Sequence, residues 1–215
     1  MKLPFAQAEF LQVFADYNTS IWPLQPFAAA LGVVAVLLVF PRKAWADRSI
    51  AAILASFWLL AGIGYHWSYF ADINPAAYLF GGLFVIAALI FLVEGTVRNR
   101  IRFEFSPDRC GWSAAALVAY ALVIYPAAGL FALHPYPETP LFGVAPCPTT
   151  IFTLGLLLIA KHPRPALLGA VPVLWAATGG MAAVILHIPQ DWGLLVAGAL
   201  WLVLTRVGGL LPGRS

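Results

Sequence analysis

Residues 73–109 read INPAAYLFGGLFVIAALIFLVEGTVRNRIRFEFSPDR. The first 21 of them carry no acidic or basic side chain, and the 16 that follow carry Arg98, Arg100, Arg102 and Arg109. A helix rises ~1.5 Å per residue, so an apolar run of this length crosses a hydrocarbon core of ~30 Å. Lys and Arg collect in short loops on the cytoplasmic side of a membrane, so the arginines mark the inner end of this helix.

The same pattern extends outward in both directions. Six more apolar stretches, at 21–40, 49–71, 110–133, 141–160, 165–186 and 192–211, are nearly free of charge. Basic residues follow the first (Arg42, Lys43, Arg48), the third (the four arginines), the fifth (Lys161, Arg164) and the seventh (Arg206, Arg214). These are 11 of the 12 Lys and Arg, and the remaining gaps hold only Asp72, Glu138 and Asp191 as charged residues. The expected fold is an all-α integral membrane bundle of seven transmembrane helices, with the N-terminus outside and the C-terminus cytoplasmic. Residues 1–20 form an amphipathic interfacial segment, 21–211 a single transmembrane domain and 212–215 a short cytoplasmic tail.

Composition agrees. The chain is 62% hydrophobic and 10% charged, against about 45–50% and ~25% in soluble domains. The net charge of +3 is accounted for by orientation and does not imply nucleic acid; the partners implied are the lipid bilayer and a small solute. Cys110 and Cys147 fall on opposite expected sides of the membrane, which excludes a disulfide between them, and two such cysteines are not a zinc framework. No metal or cofactor is implied. Residues 1–20 include Lys2 but are broken by Glu9 and Asp16, unlike a signal peptide. Phe10, Val13, Phe14 and Tyr17 recur at helical spacing, so this segment is expected on the outer membrane surface; the plainer alternative is a cap on the bundle.

The fifth stretch holds the most unusual local sequence, LFGVAPCPTTI at 141–151. Pro146 and Pro148 prevent a normal helix from running through Cys147. Placing Cys147 at the N-cap and Pro148 at the first helical position gives a helix over 148–160 that spans roughly 20 Å, about 10 Å short of the core. The fifth helix is therefore expected to be broken at its outer end, with irregular backbone that must be buried in protein or line a cavity. Its free N–H groups, with the hydroxyls of Thr149 and Thr150, suit an anion or a polarised solute, and a helix N-terminus is also a position that activates a thiol.

Other polar groups map to the same outer third. His66 lies within GIGYHWSYF at 62–70, beside Tyr65; Gln25 follows the irregular IWPLQP at 21–26; His187 ends the sixth stretch; and His134 precedes Cys147. An ionisable or polar residue at such depth is a functional candidate. The candidate pocket is thus Gln25, Tyr65, His66, Cys147, Thr149, Thr150 and His187. Glycine pairs such as Gly62/Gly64, Gly81/Gly82 and Gly179/Gly180 read as close helix contacts. Pro126 and Pro172 are expected to kink the fourth and sixth helices, and residues 101–105, alternating charged and apolar, suit a short extended segment or an interfacial hook.

Three of these runs, YNTSIWPLQ (17–25), GYHWSYFADINPAAYLFG (64–81) and FGVAPCPTTIFTLGL (142–156), resemble a family of bacterial multi-pass membrane proteins known as a domain of unknown function, number 6064. The resemblance implies a single-domain protein of a bacterial cytoplasmic membrane and no particular activity. The seventh stretch has no lysine to hold a retinal. The residues themselves point first to a small-solute transporter, channel or sensor with an outward-facing polar pocket. The alternatives are a membrane enzyme or redox protein using Cys147 with His66, and an accessory subunit without a site.

Overall fold

A computed structural model describes residues 4–131 and 135–210. Lys2, His134, Arg214 and the tail at 212–215 lie outside the described residues. The fold is mostly helical: α1 (Gln7–Ser20), α2 (Leu24–Leu37), α3 (Ala44–Leu59), α4 (Ala77–Ile90), α5 (Arg109–Ala119), α6 (Tyr125–Phe131), α7 (Pro146–Leu158), α8 (Pro165–Ile185) and α9 (Trp192–Leu210). Three of these run on as π-helix: α3 through Leu60–Trp67, α4 through Phe91–Val97, and α5 through Tyr120–Ile124 into α6.

Four helical segments are long and apolar enough to cross a membrane: Ala44–Asp72, Ala77–Val97, Arg109–Gly129 and Pro165–Ile185. The α1–α2 pair makes a fifth only if its 87° bend is counted within one span. This is fewer than the seven expected. The first stretch is helical over 14 residues and the fifth over 13, because proline interrupts both. At the bend, Pro23 pushes Trp22 out of helical backbone, and Pro41 likewise follows the end of α2. Apolar side chains such as Phe27, Leu79, Ile86, Val123, Leu174 and Val203 point outward, the arrangement of a bundle whose surroundings are lipid.

α7 is the centre of the bundle. All 13 of its residues are buried, and it packs against α3, α5, α8 and α9. It begins at Pro146, with Ala145 as N-cap, two residues earlier than the sequence suggests. Both prolines fit in the first turn, where their missing N–H groups have no intrahelical partner to lose. Residues 142–145, ahead of the helix, are buried in protein. Gly143 has φ +77, and a Cβ there would stand 2.7 Å from that of Ala28, so both its backbone and its packing require glycine.

The connecting segments gather at two ends. At one end Arg102–Phe103 pairs antiparallel with Ala160–Lys161, the extended segment expected from alternation. There Glu94 meets Arg98 at 2.6 Å and Arg100 at 3.5 Å. His162 Nε2 approaches Glu94 at 3.2 Å, and Arg42 donates to the Phe105 carbonyl. The Lys161 ammonium, 2.5 Å from Glu104, holds that carboxyl below the usual range. Basic segments that are far apart in sequence thus meet. His162, which sequence reasoning passed over, joins them because Pro163 and the strand pair turn it back onto the end of α4's π-helix.

At the other end α1 docks on the bundle with the face read from its periodicity. Val13, Phe14 and Tyr17 are buried against protein, so this face of the helix meets the bundle. Phe14 stacks on Tyr65 at 4.7 Å, and Asn18 donates to the carbonyls of Pro137 and Thr139. Those two backbone acceptors satisfy its buried NH2 group. Pro172 lies inside α8. Pro126 follows the π turn of α5, whose wider winding accommodates the missing hydrogen bond.

Candidate functional site

A cavity of about 550 Å³ lies beneath α1, between the π-helical end of α3, the start of α7 and the second half of α8. Its walls are largely aromatic: Phe10, Phe14, Tyr65, Phe70, Phe80 and Trp175. Its rim includes Ala177, Thr178 and Met181, which are exposed on α8, so it reaches the lateral face of the bundle. Its buried polar groups include Cys147 and Asp191, which lie side by side. The size is within the range of small-molecule sites, about 300–1,000 Å³ with mainly apolar walls and few polar groups.

Asp191 is 2% exposed. It stands at the end of the single helical turn Pro189–Asp191 that joins α8 to α9. Tyr125 donates its hydroxyl to the carboxyl of Asp191, and Tyr120 donates to the Gln190 carbonyl at 2.7 Å. A π turn brings residues five apart onto one face, which is why Tyr120 and Tyr125 reach the same loop. The Cys147 thiol lies beside the same carboxyl. Burial raises the Asp191 carboxyl to about 6, against the favourable bonds from Tyr125 and Cys147. The Trp175 indole neighbours Cys147, yet its Nε1 has no partner of good geometry, and neither does the Tyr65 hydroxyl.

The expected pocket is thereby divided. Tyr65 and Cys147 line the cavity. Gln25 does not: its amide donates to the Asn18 carbonyl at 2.6 Å and ties α2 to the end of α1 across the bend. Thr150 donates to Pro146 and Thr153 to Thr149, which closes α7 on itself, and Trp58 donates to the Thr153 hydroxyl. His187 is exposed, at φ +55. His66 is fully buried behind the wall; its ring packs on Tyr65, Phe84 and Trp175. His66 Nδ1 bonds to the Ala61 carbonyl at 2.8 Å, so that nitrogen carries the proton and Nε2 is left without a partner. Trp175 is the side chain that neighbours both His66 and Cys147.

The anion site foreseen at the start of α7 looks different in three dimensions. Prolines at the first and third positions leave that turn with few free N–H groups, and the group that faces it is the protein's own carboxyl, Asp191. Among the described residues no Lys, Arg or His lines the cavity, so none of them stands there as a cation to activate the thiol. The pocket is also less polar than the sequence suggested. Trp175 is the functional group that sequence reading missed, and Asp191 one that it mapped to the outer third but set aside as a charge at a gap edge. For Asp191 the one signal was a carboxylate in a gap without a basic residue; for Trp175, deep in an apolar helix, there was none. Among the described residues no group of three or more His, Cys, Asp or Glu is placed to hold a metal ion.

Together the fold and the cavity define a helical protein of membrane-spanning proportions with an aromatic-walled chamber at the end away from its basic loops. The chain belongs to the family of unknown function DUF6064, whose model matches residues 7–213. No curated protein and no solved structure matches it.

Proposed function

We propose that this protein is a multi-pass protein of a bacterial cytoplasmic membrane that binds a small lipophilic solute in the cavity beneath α1, as a transporter or sensor. The observation that carries the reading is the chamber itself, about 550 Å³ with aromatic walls. Its inner wall presents a Tyr65 hydroxyl that has no hydrogen-bond partner, beside a Trp175 indole N–H whose neighbour is the Cys147 sulfur. Buried polar groups are rarely left unpaired, and a ligand is one way to satisfy them. The rim on α8 offers such a solute a path from the bilayer.

Seven traverses, with the N-terminus outside, belong to the same proposal. Its support is the sorting of segments: those after the first, third and fifth stretches meet one another at the basic end, while α1 and the segments after the second, fourth and sixth stretches meet at the other. A reporter fused after Ser215 is expected in the cytoplasm and a tag before Met1 outside. Two ends reporting from one side would overturn the count.

The binding test is fluorescence quenching of the purified full chain in detergent by 4-phenylbutanol, a neutral probe small enough for the chamber. Saturable quenching is expected in the native protein. Ala177→Phe, which fills the chamber from an exposed rim position, should weaken it about tenfold, the loss of ~1.4 kcal/mol. Equal binding to both proteins would sink the cavity reading.

A further inference from the structure

We propose that the ligand of this cavity is a lipophilic amine, its ammonium group held by Asp191 and its apolar body by the aromatic walls. This rests on the reading that the cavity binds a small molecule and names the class of that molecule.

Among the described lining residues Asp191 is the only Asp, Glu, Lys, Arg or His. Its carboxyl is almost completely buried and no basic side chain of the lining offsets it. The Tyr125 hydroxyl and the start of α7 supply partial charge, and a helix end amounts to only about half an elementary charge. A buried carboxylate is stable when a full counter-charge is beside it. An ammonium group entering from the chamber provides that charge, while a carboxylate ligand would meet repulsion and an alcohol would bring no charge at all.

The walls point the same way. Aromatic faces attract cations through their quadrupoles, most strongly where water is excluded, and Phe70, Tyr65 and Trp175 belong to the lining that includes Asp191. The unpartnered Tyr65 oxygen is a second acceptor for an N–H donor. The receptor is also held in place beforehand. Tyr125 grips the carboxyl and Tyr120 the adjacent carbonyl, so little ordering remains to oppose binding.

Three probes of matched shape, 4-phenylbutylamine, 4-phenylbutanol and 4-phenylbutyrate, separate this from the broader reading. With the native full chain in detergent, the amine should bind at least tenfold more tightly than the alcohol, and the butyrate most weakly. In Asp191→Asn the amine's preference should be lost, the amine and the alcohol binding within about threefold of each other. The native protein provides a check that needs no variant. At pH 5 the amine should lose about tenfold relative to pH 8 while the alcohol holds constant. The titratable groups facing Asp191 are Tyr65, Tyr120, Tyr125 and Cys147, types whose ordinary ionisation lies above this window. Amine and alcohol binding equally well in the native protein, or a preference that persists in the variant or at pH 5, would overturn the amine assignment and leave the cavity reading standing. If no probe binds the native protein, both fall.

Discussion

Asp191→Asn should be more stable than the native protein at pH 8, by up to about 3 kcal/mol, and the difference should vanish near pH 4. The cause is burial, which raises this carboxyl from the usual 3.8 to about 6. A group whose folded value lies above its unfolded one contributes stability that is fully present below 3.8 and is lost as pH rises through about 6. Above that value the empty native protein carries a charge that the unfolded chain would hold in water at little cost. Asparagine removes the charge but keeps an oxygen to accept the Tyr125 hydroxyl. Unfolding of both proteins in mixed micelles between pH 4 and 8 should give curves that diverge with rising pH. Parallel curves would show that the carboxyl is not strained in the fold. The stabilisation also bears on function, since a site that is costly when empty and charged is one that a cation relieves.

The second large effect concerns two adjacent glycines. Gly81→Ala should cost about 2–3 kcal/mol, whereas Gly82→Ala should stay within ~0.5 kcal/mol of native. A Cβ at Gly81 would stand 2.2 Å from Trp67 Nε1 and 2.9 Å from the Gly62 carbonyl oxygen. The indole is pinned by its own bond to the Tyr78 carbonyl at 3.0 Å, and the other obstacle is backbone, so neither moves aside easily. At Gly82 a Cβ meets nothing within 4 Å. Thermal unfolding of the two variants side by side is the measurement; equal midpoints would mean that the π-helical end of α3 and the start of α4 are not in the close contact seen here.

This pair shows where sequence reading stops. Gly81 and Gly82 are indistinguishable as letters, and small residues in apolar helices are properly read as contact points. Which of the two faces a neighbour depends on the rotation of α4 against Gly62, which no local signal encodes. The amphipathic face of α1 was legible because a 3.6-residue period is a local property. Whether that face met lipid or protein was not, because the aromatic surface that receives it is assembled from residues 65–70, some fifty positions away.

The sequence by itself determined the features that depend on neighbours along the chain. These are the apolar stretches, the alternation of basic and non-basic gaps, the extended pairing segment at 102–103, and a short α7 that two prolines force to begin inside the bundle. It also marked Cys147 and His66 as polar groups at similar depth. Only the tertiary structure decided what those groups do. It withdrew Gln25 and Thr150 into backbone bonds and His187 to the surface, buried Thr149 within α7 away from the cavity, set His66 behind a wall, and brought Asp191 and Trp175 to Cys147. The physical reason is range. Helix length, proline and charge bias act within a few residues, but the character of a cavity is set by side chains that meet only after the helices pack, and a carboxyl's behaviour follows from the burial that this packing imposes.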